Sequence, residues 1–296
     1  MTGYTSTTKI GVATLLGLLF FNTVAVSQVE ETYDDTIPDV MDYPMADTFS
    51  AEGELELRTG DNLDSLLNLW YVNQSLENAT DDYLAESDTL IPDFSDSVYI
   101  QRLSEIPSAV DLTYNRIVKN YINVYSRKRR EQVRIMLGLS DYYFPAFEEI
   151  FDLYGVPYEI EYLSVIESAL NPRAVSRAGA VGAWQFMYST GRHYGLTINS
   201  LVDERRDPIR SSEAAAKLLK HNYERLGDWP LALTAYNHGI AGVLRAKKAL
   251  GNYEAVFENY NGRSFRFASR NFYSEFLAAR HVAENYTQYF DDLRLH

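Results

Sequence analysis

Apolar positions recur at helical spacing along the C-terminal two thirds of the chain. From about Val98 to Tyr154 the pattern runs through Ile117, Val118, Tyr121, Ile122 and Tyr125, then Phe144, Phe147, Ile150, Phe151 and Tyr154. Gly155 is placed to end that helical stretch and Pro157 to open the next. The following run, YEIEYLSVIESAL, directs Leu163, Val165 and Ile166 into a core and brings Glu167 to a helix C-terminus. Asp207-Pro208 starts a long helix through SSEAAAKLLKHNYERL, with Gly227 as its stop. Asp228-Trp229-Pro230 opens a helix carrying LALTAYN, another runs through VLRAKKAL to Gly251, and a last one begins near Ser269. No segment alternates apolar and polar residues between hairpin turns, so the pattern predicts an all-α protein.

The N-terminal third reads differently. Lys9 precedes an uncharged, mostly apolar run from Ile10 to Val26, and Ala25-Val26-Ser27 offers small residues just before Gln28. This predicts a secretory signal over 1–27, cleavage being favoured over an uncleaved membrane anchor, and hence export to the periplasm or cell envelope. Residues 28–96 read as an acidic, largely disordered spacer with few apolar clusters, broken by Pro38 and Pro44 and by one short helical pattern, LDSLLNLW, from Leu63 to Trp70. A helical extension over 97–154 and a catalytic domain over 155–290 complete the expected organisation. The stretch from Leu63 to Tyr154 is expected to pack on that domain and shape its cleft.

Charge sharpens this division. The formal net charge is −14. Between Gln28 and Asp96, Arg58 is the only base, whereas the side chains from Ser97 onward sum to roughly +3. The acidity therefore belongs to the spacer and says little about what the C-terminal domain binds. The cluster Arg127-Lys128-Arg129-Arg130 reads as a solvated helix face, and no basic stripe with interleaved aromatics suggests nucleic acid. The 23 Tyr residues suit a groove for a polar polymer, although most are expected in cores. The absence of Cys excludes disulfides, thiolate metal sites, a Cys nucleophile and a lipidated N-terminal Cys. His193, His221, His238, His281 and His296 do not fall at metal-ligand spacing, and no cofactor is expected.

Candidate chemistry concentrates in IESALNPRAVSRAGAVGAWQFM, ending at Met187, and in LALTAYNHG. An acidic residue closing an apolar helix, followed by a Gly/Ala/Ser loop and a Gln among bulky residues, can hold one carboxyl in a poorly hydrated cleft. Such a carboxyl stays protonated at neutral pH and can protonate a leaving oxygen. The helix dipole is expected to add to that effect at Glu167. The alternative for each residue alone is structural: a helix-end Glu, a Gln satisfying loop backbone, an Asn cap at 237, and core positions for Trp184 and Met187.

From about Val156 to Ala283 the chain resembles the lysozyme-like catalytic domain of soluble and membrane-bound lytic transglycosylases, the membrane-bound type D in particular. The resemblance is carried by IESALNP, GAVGAWQFM, STGRHYGL, VDERRDP, AAAKLL, DWPLALTAYNHG and SRNFY, in family order and separation. It implies Glu167 as catalytic acid, with Ser168, Ser176, Gln185, Met187, Tyr236, Asn237 and Tyr273 lining the substrate cleft. Tyr188 departs from the Pro of many relatives, which changes the start of a helix without removing chemistry. His238 replaces a small residue and leaves two readings open, contact with substrate or a solvent-facing position. Glu161 lies nearly two turns from Glu167, so neither it nor Glu159 is an obvious second carboxylate. In the family the substrate's own 6-hydroxyl attacks, leaving a 1,6-anhydro-N-acetylmuramic acid end. The implied partner is the peptidoglycan glycan strand, with cell-envelope proteins as further candidates. The rival readings are a hydrolase of the goose-type lysozyme kind and a catalytically silent peptidoglycan-binding protein.

Overall fold

A computed structural model describes residues 94–290 apart from 263, 264 and 266. The expected signal over 1–27, the helix within 63–70 and nearly all of the acidic spacer lie outside the described residues. Within them the fold is all-α. The helices are α1 (Asp96–Glu105), α2 (Arg116–Asn123), α3 (Arg130–Tyr154), α4 (Tyr162–Ser168), α5 (Tyr188–His193), α6 (Pro208–Leu226), α7 (Trp229–His238), α8 (Ile240–Leu250), α9 (Tyr253–Asn259) and α10 (Phe267–Glu284). Strand-like pairing among the described residues is confined to isolated bridges, Val175 to Val181, Val181 to Phe186 and Ile198 to Asp203.

Local chemistry fixes the boundaries. Asp207 caps α6 by accepting from the backbone N–H of Ile209 and Arg210, and Asp228 caps α7 by accepting from Leu231. Asn115 does the same for α2. Gly155 and Gly227 end α3 and α6 in the left-handed conformation. The periodic stretch from Val98 to Tyr154 is not one helix. Asn115 restarts it at α2, and a π-helical turn over Val124–Lys128, closed by Arg129 N–H to the Val124 carbonyl at 2.9 Å, separates α2 from α3. The helix expected over YEIEYLSVIESAL opens instead with a 3₁₀ turn, Tyr158–Glu161, which leaves α4 only seven residues long.

One apolar core runs from Tyr99 to Phe290. α10 lies at its centre, against α2, α4 and α7, while α6 packs on α3 and α7. Leu163, Val165 and Ile166 are buried as the pattern requires. Trp184 is fully buried between Phe147 and Phe151, both ring centroids 5.5 Å away, and its indole N–H donates to Ser212 Oγ at 2.7 Å. The segment before residue 155 thus shares its core with the segment after it. The basic cluster is partly engaged as well: Arg130 donates to the Tyr289 carbonyl and lies over the Phe290 ring.

Candidate active site

Glu167 sits in the last turn of α4. Beyond Ser168 the chain reverses through Ala169 and Leu170, both left-handed at φ 55° and 61°, so that their N–H groups return to the carbonyls of Val165 and Ser164. Two consecutive non-Gly residues in this region carry backbone strain, which the surrounding structure must hold in place. Ser168 helps to do so. Its hydroxyl donates to the Ala183 carbonyl at 2.8 Å and accepts from the Asn171 N–H at 3.1 Å, tying the helix end to the loop opposite.

That loop is built as a double turn. The Ser176 N–H donates to the Ala180 carbonyl at 2.9 Å, and Ser176 Oγ accepts from the Ala180 N–H at 2.9 Å. Gly182 has φ 84°, and a Cβ there would lie 1.7 Å from the Arg205 carbonyl oxygen. Only glycine fits so close an approach. Gln185 is itself left-handed at φ 50°, and its side-chain N–H donates to the Gly182 carbonyl at 2.8 Å. Arg205 clamps the loop from behind, donating to the carbonyls of Gly179 and Phe186 at 3.2 Å each. Asp203 holds that guanidinium through both carboxylate oxygens, at 2.9 and 2.8 Å. Asp203 and Arg205 are visible in the VDERRDP motif, but no periodicity or spacing in the sequence reveals that they brace a loop twenty residues away.

Across from Glu167, α7 presents Tyr236 and Asn237. The Tyr236 hydroxyl donates to the Trp184 carbonyl at 2.7 Å, and burial, with a further contribution from Glu167, raises its proton affinity well above the usual phenol range. Asn237 Oδ1 accepts from Ser269 at 2.9 Å, while its buried Nδ2 has no protein partner. Glu167 is 3% exposed and its Oε2 is likewise without a partner. Burial raises its proton affinity well above the usual carboxylate range, and the negative charge of Glu275 adds to the effect. Desolvation is thus the main cause, ahead of the C-terminal dipole expected from the sequence; α4 is only seven residues long. Buried groups lacking a partner are uncommon in folded proteins. Here two of them, one donor and one protonated carboxyl, lie on the elements that flank the Gln185 loop.

The remaining candidates are placed less centrally. Ser176 is buried within its turn, and Met187 is half-buried at the N-cap of α5. Tyr188 opens that helix in an exposed position without needing a Pro. The hydroxyl of Tyr273 donates to the backbone carbonyl of Asp111, a tie between α10 and the segment before α2. His238 does not face solvent: it is buried, edge-on to Phe265 with ring centroids 5.0 Å apart, and fills the space a Cβ of residue 242 would need. Burial and Arg245 lower its proton affinity. Glu159 accepts from Ser108 and from the Ala109 N–H at 3.1 and 2.7 Å, a structural use. Glu161 is buried among Glu148, Glu284 and Glu159, and chiefly by desolvation its pKa is pushed up to about 10. No group of three metal-binding side chains occurs among the described residues.

Residues 151–256 match the family model of the Transglycosylase SLT domain. A 95-residue segment, 32% of the chain, is 42% identical to the membrane-bound lytic murein transglycosylase D of Escherichia coli strain K12. The same figures hold for its counterpart in strain O6:H1. Over 73 residues, a quarter of each protein, the chain is 38% identical to the transglycosylase of Enterobacteria phage PRD1. The chain spans 21% of the length of the Escherichia coli relatives. The similarity of this chain to the Transglycosylase SLT domain thus covers residues 151–256, and the lytic transglycosylases named above are similar to it over a segment of comparable length.

Proposed function

We propose that the protein is a peptidoglycan lytic transglycosylase that cleaves the β-1,4 bond between N-acetylmuramic acid and N-acetylglucosamine. The observation that carries the reading is the state of Glu167: buried, held above the carboxylate range, and with an oxygen left free two residues before a strained turn. Such a carboxyl is a proton donor at neutral pH. It passes its proton to the glycosidic oxygen as the bond to C1 breaks and the electron pair leaves with N-acetylglucosamine. Positive charge then develops on the C1–O5 pair of the muramic acid ring. The new Glu167 carboxylate takes the proton from the sugar's 6-hydroxyl, whose oxygen closes on C1 to give the 1,6-anhydro ring. An internal nucleophile held near C1 gains enough from proximity to need no positioned water.

In this reading Asn237 Nδ2, a buried amide donor without a protein partner, binds an oxygen of the substrate acetamido group. Tyr236 and Gln185 orient the cleavage point; Ser176 and Met187 contact sugar at its margins. Ser168 and Tyr273 act by holding the frame. The similarity to a membrane-bound murein transglycosylase supports a cell-envelope location, with residues 1–27 as export signal.

The test is the mass of muropeptides released from purified sacculi. Anhydro ends support the reading, and reducing ends, one water heavier, mean a hydrolase. Glu167→Gln should retain the fold and lose cleavage. Cleavage by that variant at the parent rate would remove the proposal.

A further inference from the structure

Glu275 lies on α10, beyond the residues that match the SLT domain, yet its charge acts on Glu167. It is met by a group from the opposite side of that match. Tyr121 on α2 hydrogen-bonds to it, and the Tyr125 hydroxyl in the π-helical turn donates to its Oε1 at 3.2 Å. Arg129, at the end of the same turn, adds positive charge. Tyr121, Tyr125 and Arg129 recur every four residues and so share one face of the chain. The π turn packs directly on α10, and π-helical turns are rare and concentrate at functional sites.

The two carboxyl groups sit in opposite environments. Glu167 interacts with the neutral phenol of Tyr236 on α7 and with the charge of Glu275 on α10, the helix packed against α4, with no cation among the groups that act on it. Glu275 has two phenol donors and a guanidinium, all of which favour its charged form, against the cost of burial. Environments that separate two carboxyls in this way assign the proton to one and the charge to the other. Burial outweighs these partners, so the Glu275 pKa is pushed up to about 7.

We propose that Glu275 is a positioning residue of the cleavage reaction: its carboxylate, fixed by Tyr121, Tyr125 and Arg129, keeps the proton on Glu167 between turnovers. After Glu167 has given its proton to the leaving oxygen, the same nearby charge makes the Glu167 carboxylate a stronger base towards the 6-hydroxyl. The helices before residue 151 thereby contribute to the chemistry through α10. The inference rests on Glu167 being the acid of glycan cleavage.

The experiment compares the full chain with Glu275→Gln and with the double variant Tyr121→Phe/Tyr125→Phe. Two readouts are taken: the pH profile of kcat/KM for muropeptide release, and the titration of the ¹³C-labelled Glu167 carboxyl in the resting protein. In Glu275→Gln both the alkaline limb and the Glu167 midpoint move to lower pH, while KM and the rate in acid stay as in the parent. The double Phe variant shifts both in the same direction by less, and it decides the matter if Glu275→Gln does not fold. An unmoved Glu167 midpoint in a folded variant overturns the proposal. So does a raised KM at every pH with no change in profile, which would mean direct contact with substrate. The carboxyl titration needs no turnover, so failure of the glycan reading, seen as cleavage by Glu167→Gln, is distinguishable from failure here.

Discussion

Replacing Gly182 by Ala tests whether the loop carrying Gln185 depends on its close approach to Arg205. The added Cβ would lie 1.7 Å from the Arg205 carbonyl oxygen and 2.7 Å from its carbonyl carbon. Ordinary contact begins near 3.4 Å, so backbone must yield by well over an ångström. The yielding atoms belong to the residue whose guanidinium holds the Gly179 and Phe186 carbonyls, so the clamp moves with them. Overpacking of this kind costs about 1–3 kcal/mol, and forcing a side chain into φ 84° adds roughly 1–2 kcal/mol. Together these give about 2–5 kcal/mol, which for a domain of this size lowers Tm by roughly 10 °C near the middle of that range. Gly179→Ala is the control. Its φ is similar, 88°, but no atom lies within 4 Å of the new Cβ, so only the conformational cost of roughly 1–2 kcal/mol remains. The assay is thermal unfolding followed by circular dichroism, with cleavage measured below both transitions. If the two variants lose the same Tm, the contact with Arg205 is not what fixes glycine at 182, and the reasoning fails.

Arg205→Met leaves Asp203 without its guanidinium partner and the Gly179 carbonyl without that donor, while the Phe186 carbonyl keeps the Val181 N–H, and should cost about 2–4 kcal/mol; urea unfolding would show it, and a loss under 1 kcal/mol would mean that the clamp is ornamental. The raised proton affinity of Glu167 has a stability cost of defined sign. Above the ordinary carboxyl value of 4.5 the unfolded chain releases this proton while the folded protein keeps it, so this group's contribution to stability falls as pH rises. Glu167→Gln should therefore raise Tm at neutral pH and leave it nearly unchanged near pH 4.5, and an equal change at both would contradict the burial argument. His281 behaves oppositely: buried and depressed to about 4, it stays neutral in the folded protein while the unfolded imidazole charges below 6.5. Stability from this group is lost as pH falls through that window, and His281→Gln should flatten the acid limb of a Tm–pH curve.

Much of the helical layout was legible because its signals are local. Asp207-Pro208, Asp228-Trp229-Pro230, Gly155 and Gly227 act on backbone groups within four residues, and each marks a boundary in the structure where the sequence places it. The π turn was not legible, because Tyr125 and Arg129 keep the spacing of an ordinary helix and the departure lies in the backbone bond from Arg129 to Val124. The 3₁₀ turn that shortens α4 is hidden in the same way by the uninterrupted apolar run of YEIEYLSVI. At the site, Glu167, Gln185, Tyr236 and Asn237 stood out because they fall in motifs that resemble a family. Asp203 and Arg205 were in view without a role, since bracing a loop from behind leaves no periodic trace. Glu275 was missed altogether: on its own helix it is a half-buried Glu among apolar neighbours, and what gives it meaning is Tyr125, 150 residues earlier.

The core that joins Tyr99 to Phe290 has a practical corollary for anyone borrowing this scaffold. A fragment trimmed to the borders of the family match, 151–256, keeps the residues that match the SLT domain but discards α10, which carries SRNFY and lies against α2, α4 and α7. Such an excised piece would carry the signature into a new host protein as an open shell, its apolar interior facing water. Shuffling experiments with this chain should therefore move the whole of 94–290 as one cassette.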